Sequence, residues 1–315
     1  MFSMGDNGRP GLSRRDFHRF ALGTLLAATA TAALGPRFAA AADRKDTIRT
    51  ISDGHLRLPI SFMLPDVAPA DLAAVIREFN LPPDEVKPEC NTTLLRLPDR
   101  LVLFDAGSGP NFMPTAGKLL GNLADAGIDP ADITDVVFTH AHPDHIWGVI
   151  DDFDEVVFPN ATFRISQAEW DYWRADETLT SMPDERKAFV IGARSRFDAI
   201  EPRLALFKAG EEILPGVEAF DTSGHTPGHT AFAVHGSGEP LIIVGDAITN
   251  DPISFARPDW HSGADHDAER GAVTRRRLLD RLAGDRARFV GFHLPNGGIG
   301  RAERRGESYR FISET

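Results

Sequence analysis

The stretch THAHPDH, residues 139–145, follows the apolar run DVVF and puts three histidines and an aspartate within seven positions. The run reads as a buried strand. In extended chain, residues two apart point the same way, so His140 and His142 project together from the strand end. Pro143 disfavours helical backbone at residue 142, which holds that geometry. Asp144 and His145 follow as the chain turns. Two pairs of ligand-type side chains then lie close together but aim differently, which suits two adjacent metals better than one.

Further ligand-type residues each stand at the end of an apolar run. SGHTPGH puts His225 in a Gly/Pro-rich loop after VEAFDT, VGD puts Asp246 directly after LIIV, and GFH puts His293 after RFV. Taken singly, each would serve as an ordinary polar partner or a cap. Together with His-x-His-x-Asp-His they form a set on several strand ends, where α/β sheets commonly build their sites.

The rest of the chain supports that class. Short apolar runs ending in turn residues predict strands at 101–107, 135–140, 161–166, 217–224, 230–236, 240–246 and 288–293. Helical patterns fall at 112–127, 166–176, 184–200 and 267–284, with Ser166 or Asp184 as N-caps and Gly127 and Gly284 as stops. Interleaved strands and helices make an α/β fold. No linker divides residues 43–315, which read as one catalytic domain.

Residues 1–42 read as an export signal. A twin arginine, Arg14–Arg15, precedes the Ala-rich run FALGTLLAATATAALG, and the small residues of FAAAAD suit cleavage near Ala42. The run is shorter than the ~20 residues of a spanning helix. The pattern predicts passage through the Tat translocase, cleavage, and a periplasmic or secreted protein with no membrane attachment. Without residues 1–42 the chain keeps 29 basic and 44 acidic side chains, a formal charge of −15. Such a surface repels polyanions, which argues against nucleic acid as a partner. The triplet Arg275, Arg276, Arg277 reads as a solvated helix face. The single cysteine, Cys90, allows no internal disulfide.

HAHPDH, GHTPGH, GD and the late His293, in that order over most of residues 90–312, resemble the metallo-β-lactamase superfamily. The resemblance implies an αββα sandwich with metals at one edge of its two sheets. It implies that His140, His142 and His225 hold a first metal, that Asp144, His145 and His293 hold a second, and that Asp246 bridges both. Asp105 in FDAG matches a supporting position without metal contact. His229 reads as structural; His55, His261 and His266 receive no role.

Ligands of nitrogen and oxygen suit two divalent ions, with zinc as the default and manganese, iron or cobalt compatible. Two metals ~3.5–4 Å apart can share a hydroxide, since metal binding lowers the pKa of water to about 7. The predicted reaction is metal-assisted hydrolysis, with Asp144 or Asp246 able to shuttle the proton.

Class B β-lactamases typically lack the second histidine of the pair and the bridging aspartate, both present here. Glyoxalase II thioesterases add a basic helical domain that is not evident. An iron-binding redox protein of this fold would usually carry Glu at position 142 and a flavin domain. A metal-binding protein without turnover is a further alternative. The order GD, Asp/Pro loop, Arg-bearing helix and FHLPNGGIGRAERRGESYRFI is similar to the methyl parathion hydrolase and lactonase branch, with Asn296–Gly297 where relatives often have an apolar residue and proline. That implies a small neutral substrate: a lactone, aryl ester or organophosphate triester. It also brings Phe112, Trp173 and Phe189 near an aromatic pocket, against the plain alternative that they are core, and it allows a homodimer.

Overall fold

Neighbouring residues of the central strands face opposite ways, and the layers follow from that. Val102 and Phe104 enter one apolar cluster while Leu101 and Leu103 enter another; Val137 and Val136 divide the same way. In the second half, Leu241, Ile243 and Val290 share the cluster of Val102, whereas Ile242 and Phe289 point to a third. Strands buried on both faces read as continuous apolar runs, which is why they were visible in the sequence.

The computed structural model of the protein describes residues 48–235 and 239–314; the export signal expected at 1–42 lies outside them. In chain order it has β1 (Ile48–His55), β2 (Leu58–Pro59), α1 (Ile60–Met63), α2 (Pro69–Phe79), β3 (Glu85–Val86), β4 (Glu89–Arg96), β5 (Leu101–Phe104), α3 (Leu119–Asp125), β6 (Asp135–Val137), α4 (Pro143–Ile146), β7 (Thr162–Ser166) and α5 (Gln167–Arg174). There follow α6 (Asp176–Ser181), α7 (Lys187–Ile200), β8 (Leu204–Phe207), β9 (Glu212–Leu214), β10 (Val217–Asp221), β11 (Thr230–Val234), β12 (Leu241–Ile243), α8 (Ile253–Ala256), α9 (Ala268–Gly284), β13 (Arg288–Val290), β14 (Ile299–Arg305) and β15 (Ser308–Ser313).

One sheet has the order β1-β4-β5-β6-β7-β8 and the other β15-β14-β13-β12-β11-β10-β9. The cluster containing Phe104 and Phe232 lies between them. Helices α3, α5 and α7 pack on the outer face of the first sheet through Leu123, Trp173, Val190 and Phe197. Helix α9 covers the second through Leu278, Leu279 and Leu282. This is the expected αββα sandwich. Strands β5, β6, β7 and β8 run parallel, as do β12 and β13, so their C-terminal ends gather at one edge. Among the described residues no helix is long and apolar enough to cross a membrane.

Four local expectations need correction. The helix predicted over 112–127 begins only at Leu119. Pro114 and Gly117 break the pattern, and the buried carboxylate of Asp53 instead holds a loop by accepting from the N–H groups of Ser108, Gly117 and Leu119. Ser166 caps α5 as expected, but Asp184 makes no cap and pairs with Lys187 in a 3-10 turn before α7. Gly284 is the last residue of α9 rather than the stop beyond it. Arg275 is no part of a solvated face: it is buried, and its guanidinium binds Asp265 at 2.8 Å and the carbonyls of Pro258 and Trp260.

Candidate metal centre

Helix α4 explains the motif's geometry. His142 is extended (φ −67°, ψ 159°) and precedes Pro143 at the first helical position, where a missing N–H costs nothing. His140 and His142 therefore leave from the end of β6, and Asp144 and His145 from the first turn of α4. Loop 222–229 between β10 and β11 brings His225 alongside. Nε2 of His140 and Nε2 of His225 lie 2.9 and 2.8 Å from Nδ1 of His142. These three buried imidazoles converge closely enough to share one ion.

The second group sits beside it. Nε2 of His293, from the end of β13, lies 3.2 Å from Oδ2 of Asp144. Nε2 of His145 lies 3.6 Å from the same oxygen. Asp246, after β12, stands between the groups: Oδ1 is 3.3 Å from His145, while Oδ2 is 3.3 Å from His225 and 3.2 Å from His293. Asp144 Oδ2, His145 Nε2 and Asp246 Oδ1 are buried without a hydrogen bond of good geometry. Buried polar atoms left this way point to a missing electropositive partner, and a nitrogen/oxygen donor set fits divalent metal. All seven residues named from the sequence thus come together.

Each imidazole is aimed from behind, His140 by the Thr139 hydroxyl 3.0 Å from its Nδ1. Asp105 accepts from Nδ1 of His145 at 2.9 Å and from the N–H and hydroxyl of Thr139. His293 donates from Nδ1 to the Glu89 carbonyl, and His225 from Nδ1 to Asp265 at 2.9 Å. Nε2 of His142 lies 2.9 Å from Nε2 of His266, whose Nδ1 is 2.8 Å from the Tyr172 hydroxyl. His229 is structural: its Nε2 accepts from the Asp246 N–H, and burial pushes its pKa down to about 3. Burial acts to lower His145 too, but Asp246, Asp144 and Asp105 outweigh it and push that group up to about 10.

Asp265, Glu169 and the role of His266 escaped the sequence reading, since they carry no motif and act only through contacts made by folding. Cys90 was read only as a cysteine without a disulfide partner; its thiol belongs to a buried group with Asp144 and His293, and burial pushes it up to about 12. His261 faces Asp66 and Glu269 instead of the metal groups.

The aromatic expectation divides. Phe112 and Phe189 are partly exposed and meet edge-to-face at 6.0 Å, with Phe189 6.2 Å from the His142 ring. Trp147, which sequence reading did not name, completes a trio with them at 5.7 and 6.5 Å. Trp173 must be withdrawn from the pocket: it is 0% exposed, its Nε1 donates to Glu169, and its ring packs against His142 as core. Asn296 and Gly297 form a left-handed turn (φ 58° and 75°) that suits Asn and Gly, with both N–H groups donating to the Glu89 carboxylate.

A family profile described as the Metallo-beta-lactamase superfamily matches residues 88–293, spanning all seven donor residues. The chain belongs to this superfamily. Among solved members, AidC, a dizinc quorum-quenching lactonase in complex with a product, superposes with TM-score 0.79 at 28% identity, over 86% of this chain and 99% of that one. The hydrolase AbOPH of the beta lactamase superfamily gives 0.78 at 26%, over 85% and 94%. An N-acyl homoserine lactonase from a Bacillus species is 23% identical over 143 residues, 44% of this chain; the chain spans about half the length of that curated relative, 48%.

Proposed function

We propose that this superfamily member is a hydrolase dependent on two divalent metals, zinc by default, acting on a small neutral ester-type bond with a lactone as the first substrate class. The observation that carries the reading is the pair of donor groups joined at Asp246 beside a partly exposed aromatic edge. His140, His142 and His225 would hold one ion, Asp144, His145 and His293 the other, and Asp246 both. Bound metals would supply a Lewis acid for the carbonyl or phosphoryl oxygen and a water of lowered pKa. Phe112, Trp147 and Phe189 would bind the apolar part of the substrate and exclude water, as aromatic faces do for uncharged groups. Asp144 and Asp246, the two carboxylates of the donor groups, would take the proton from the attacking water and pass it to the leaving oxygen. AidC and the Bacillus relative favour a lactone over the other esters. The order of motifs keeps the methyl parathion hydrolase branch, and with it aryl esters and phosphotriesters, as the next class. We also propose Tat-dependent export, on Arg14–Arg15 and the Ala-rich run that follows.

The test is turnover by the metal-loaded protein of an acyl-homoserine lactone, an aryl ester, methyl parathion, a glutathione thioester and a β-lactam, with Asp246→Asn as control. The expected ranking puts the lactone first and the variant at least ~100-fold down with lowered metal content. Turnover of the thioester or β-lactam alone would overturn the substrate class. A fully active, fully loaded variant would overturn the bridging role.

A further inference from the structure

Glu169 is a fully buried carboxylate on α5 that the chemistry above does not use. Its Oε1 accepts from the N–H of Ala141, the residue between His140 and His142, at 2.9 Å, and from Nε1 of Trp173 at 2.6 Å. Its Oε2 accepts from the hydroxyl of Thr226, the residue after His225, at 2.7 Å, and from the N–H of Gly228 at 3.0 Å. Four donors therefore address the carboxylate, two on each oxygen. A carboxylate accepts on both oxygens, whereas an amide would turn an NH2 group toward two of those donors.

The helix and the loop also touch directly. A Cβ at Gly228 would stand 2.1 Å from the backbone nitrogen of Glu169, and Ser166 donates its hydroxyl to the Gly228 carbonyl at 2.7 Å. One side chain thus ties the turn bearing His140 and His142 to the loop bearing His225. The second donor group has other supports: Asp105 behind His145 and the Glu89 carbonyl behind His293.

We infer that Glu169 is a positioning residue for the first metal alone, setting the separation of the His140–His142 turn from the His225 loop. The inference rests on the two-metal reading above. Supports of this kind typically change metal affinity by 10–100-fold when removed.

The experiment is stepwise Co(II) titration of the stripped full chain, reading metal content and the visible ligand-field bands, in wild type and Glu169→Gln. His142→Gln identifies the first-metal step as the one it abolishes. In Glu169→Gln the first-metal affinity should fall 10–100-fold, with altered bands for that step and an unchanged second step. An unchanged first step, or equal losses at both steps, would overturn the inference. Wild type binding fewer than two equivalents would instead overturn the two-metal reading, and the inference with it. Should Glu169→Gln fail to fold, Thr226→Val removes one donor from the same oxygen; a smaller loss confined to the first step supports the inference, and no loss or an equal loss at both steps overturns it.

Discussion

Asp105 takes the Nδ1 hydrogen of His145, so the other ring nitrogen can face only Asp144 and Asp246. In the metal-free chain that nitrogen keeps a proton, because three carboxylates outweigh burial and push the group to about 10. His293 is raised well above its ordinary value against burial by Asp246 and Asp144. The folded pKa values exceed the unfolded ~6.5. For His145 the stabilisation is therefore complete below about pH 6.5 and is lost as pH rises through about 10, and His293 contributes with the same sign. Metal must displace these protons, since it binds neutral imidazole. Calorimetric metal titration near pH 7 in two buffers of different ionisation enthalpy should show net proton release. Identical heats in the two buffers would contradict the proton-holding role of His145 and His293.

At the scale of elements, the legible parts were those whose residues face apolar neighbours on both sides. LVLF, DVVF, LIIV and RFV announced β5, β6, β12 and β13, and the ligands at their ends came with them. Strand β1, IRTISDGH, and the hairpin of β14 and β15, with RAERR and SYRFIS, were not named as strands. β1 and β15 are edge strands, β14 is the strand next to the edge, and all three carry charged or polar residues outward. Segment 112–118 misled because its hydrogen bonds go to Asp53, over sixty residues earlier in the chain, which no local pattern encodes. Likewise Arg275 looked like its neighbours Arg276 and Arg277 and is their opposite. It joins α9 to Asp265, which aims His225. Arg275→Met would leave Asp265 a buried carboxylate without its guanidinium, held only by His225, and should lower stability by about 3–5 kcal/mol. Denaturant midpoints check this; a loss below about 1 kcal/mol would mean that Arg275 is no anchor.

For the whole molecule, the proposed site needs both sheets at once. His140, His142, Asp144 and His145 come from the first; His225, Asp246 and His293 come from the second. Tat carries folded cargo, so a protein completed in this way could be loaded before export. Changing Arg14 and Arg15 to Lys should leave uncleaved precursor in the cytoplasm, read by fractionation and precursor size. Normal export of the double variant would rule out that route.

The two-sheet edge also sets a timetable. About 150 residues separate His145 from His293, and at 5–20 residues per second their synthesis occupies roughly 7–30 s. At its start the newborn chain holds four of the seven donor residues, and the cage is complete only when His293 is made. An ion caught before the last strands arrive would be held loosely. Only their arrival would decide which ion stays.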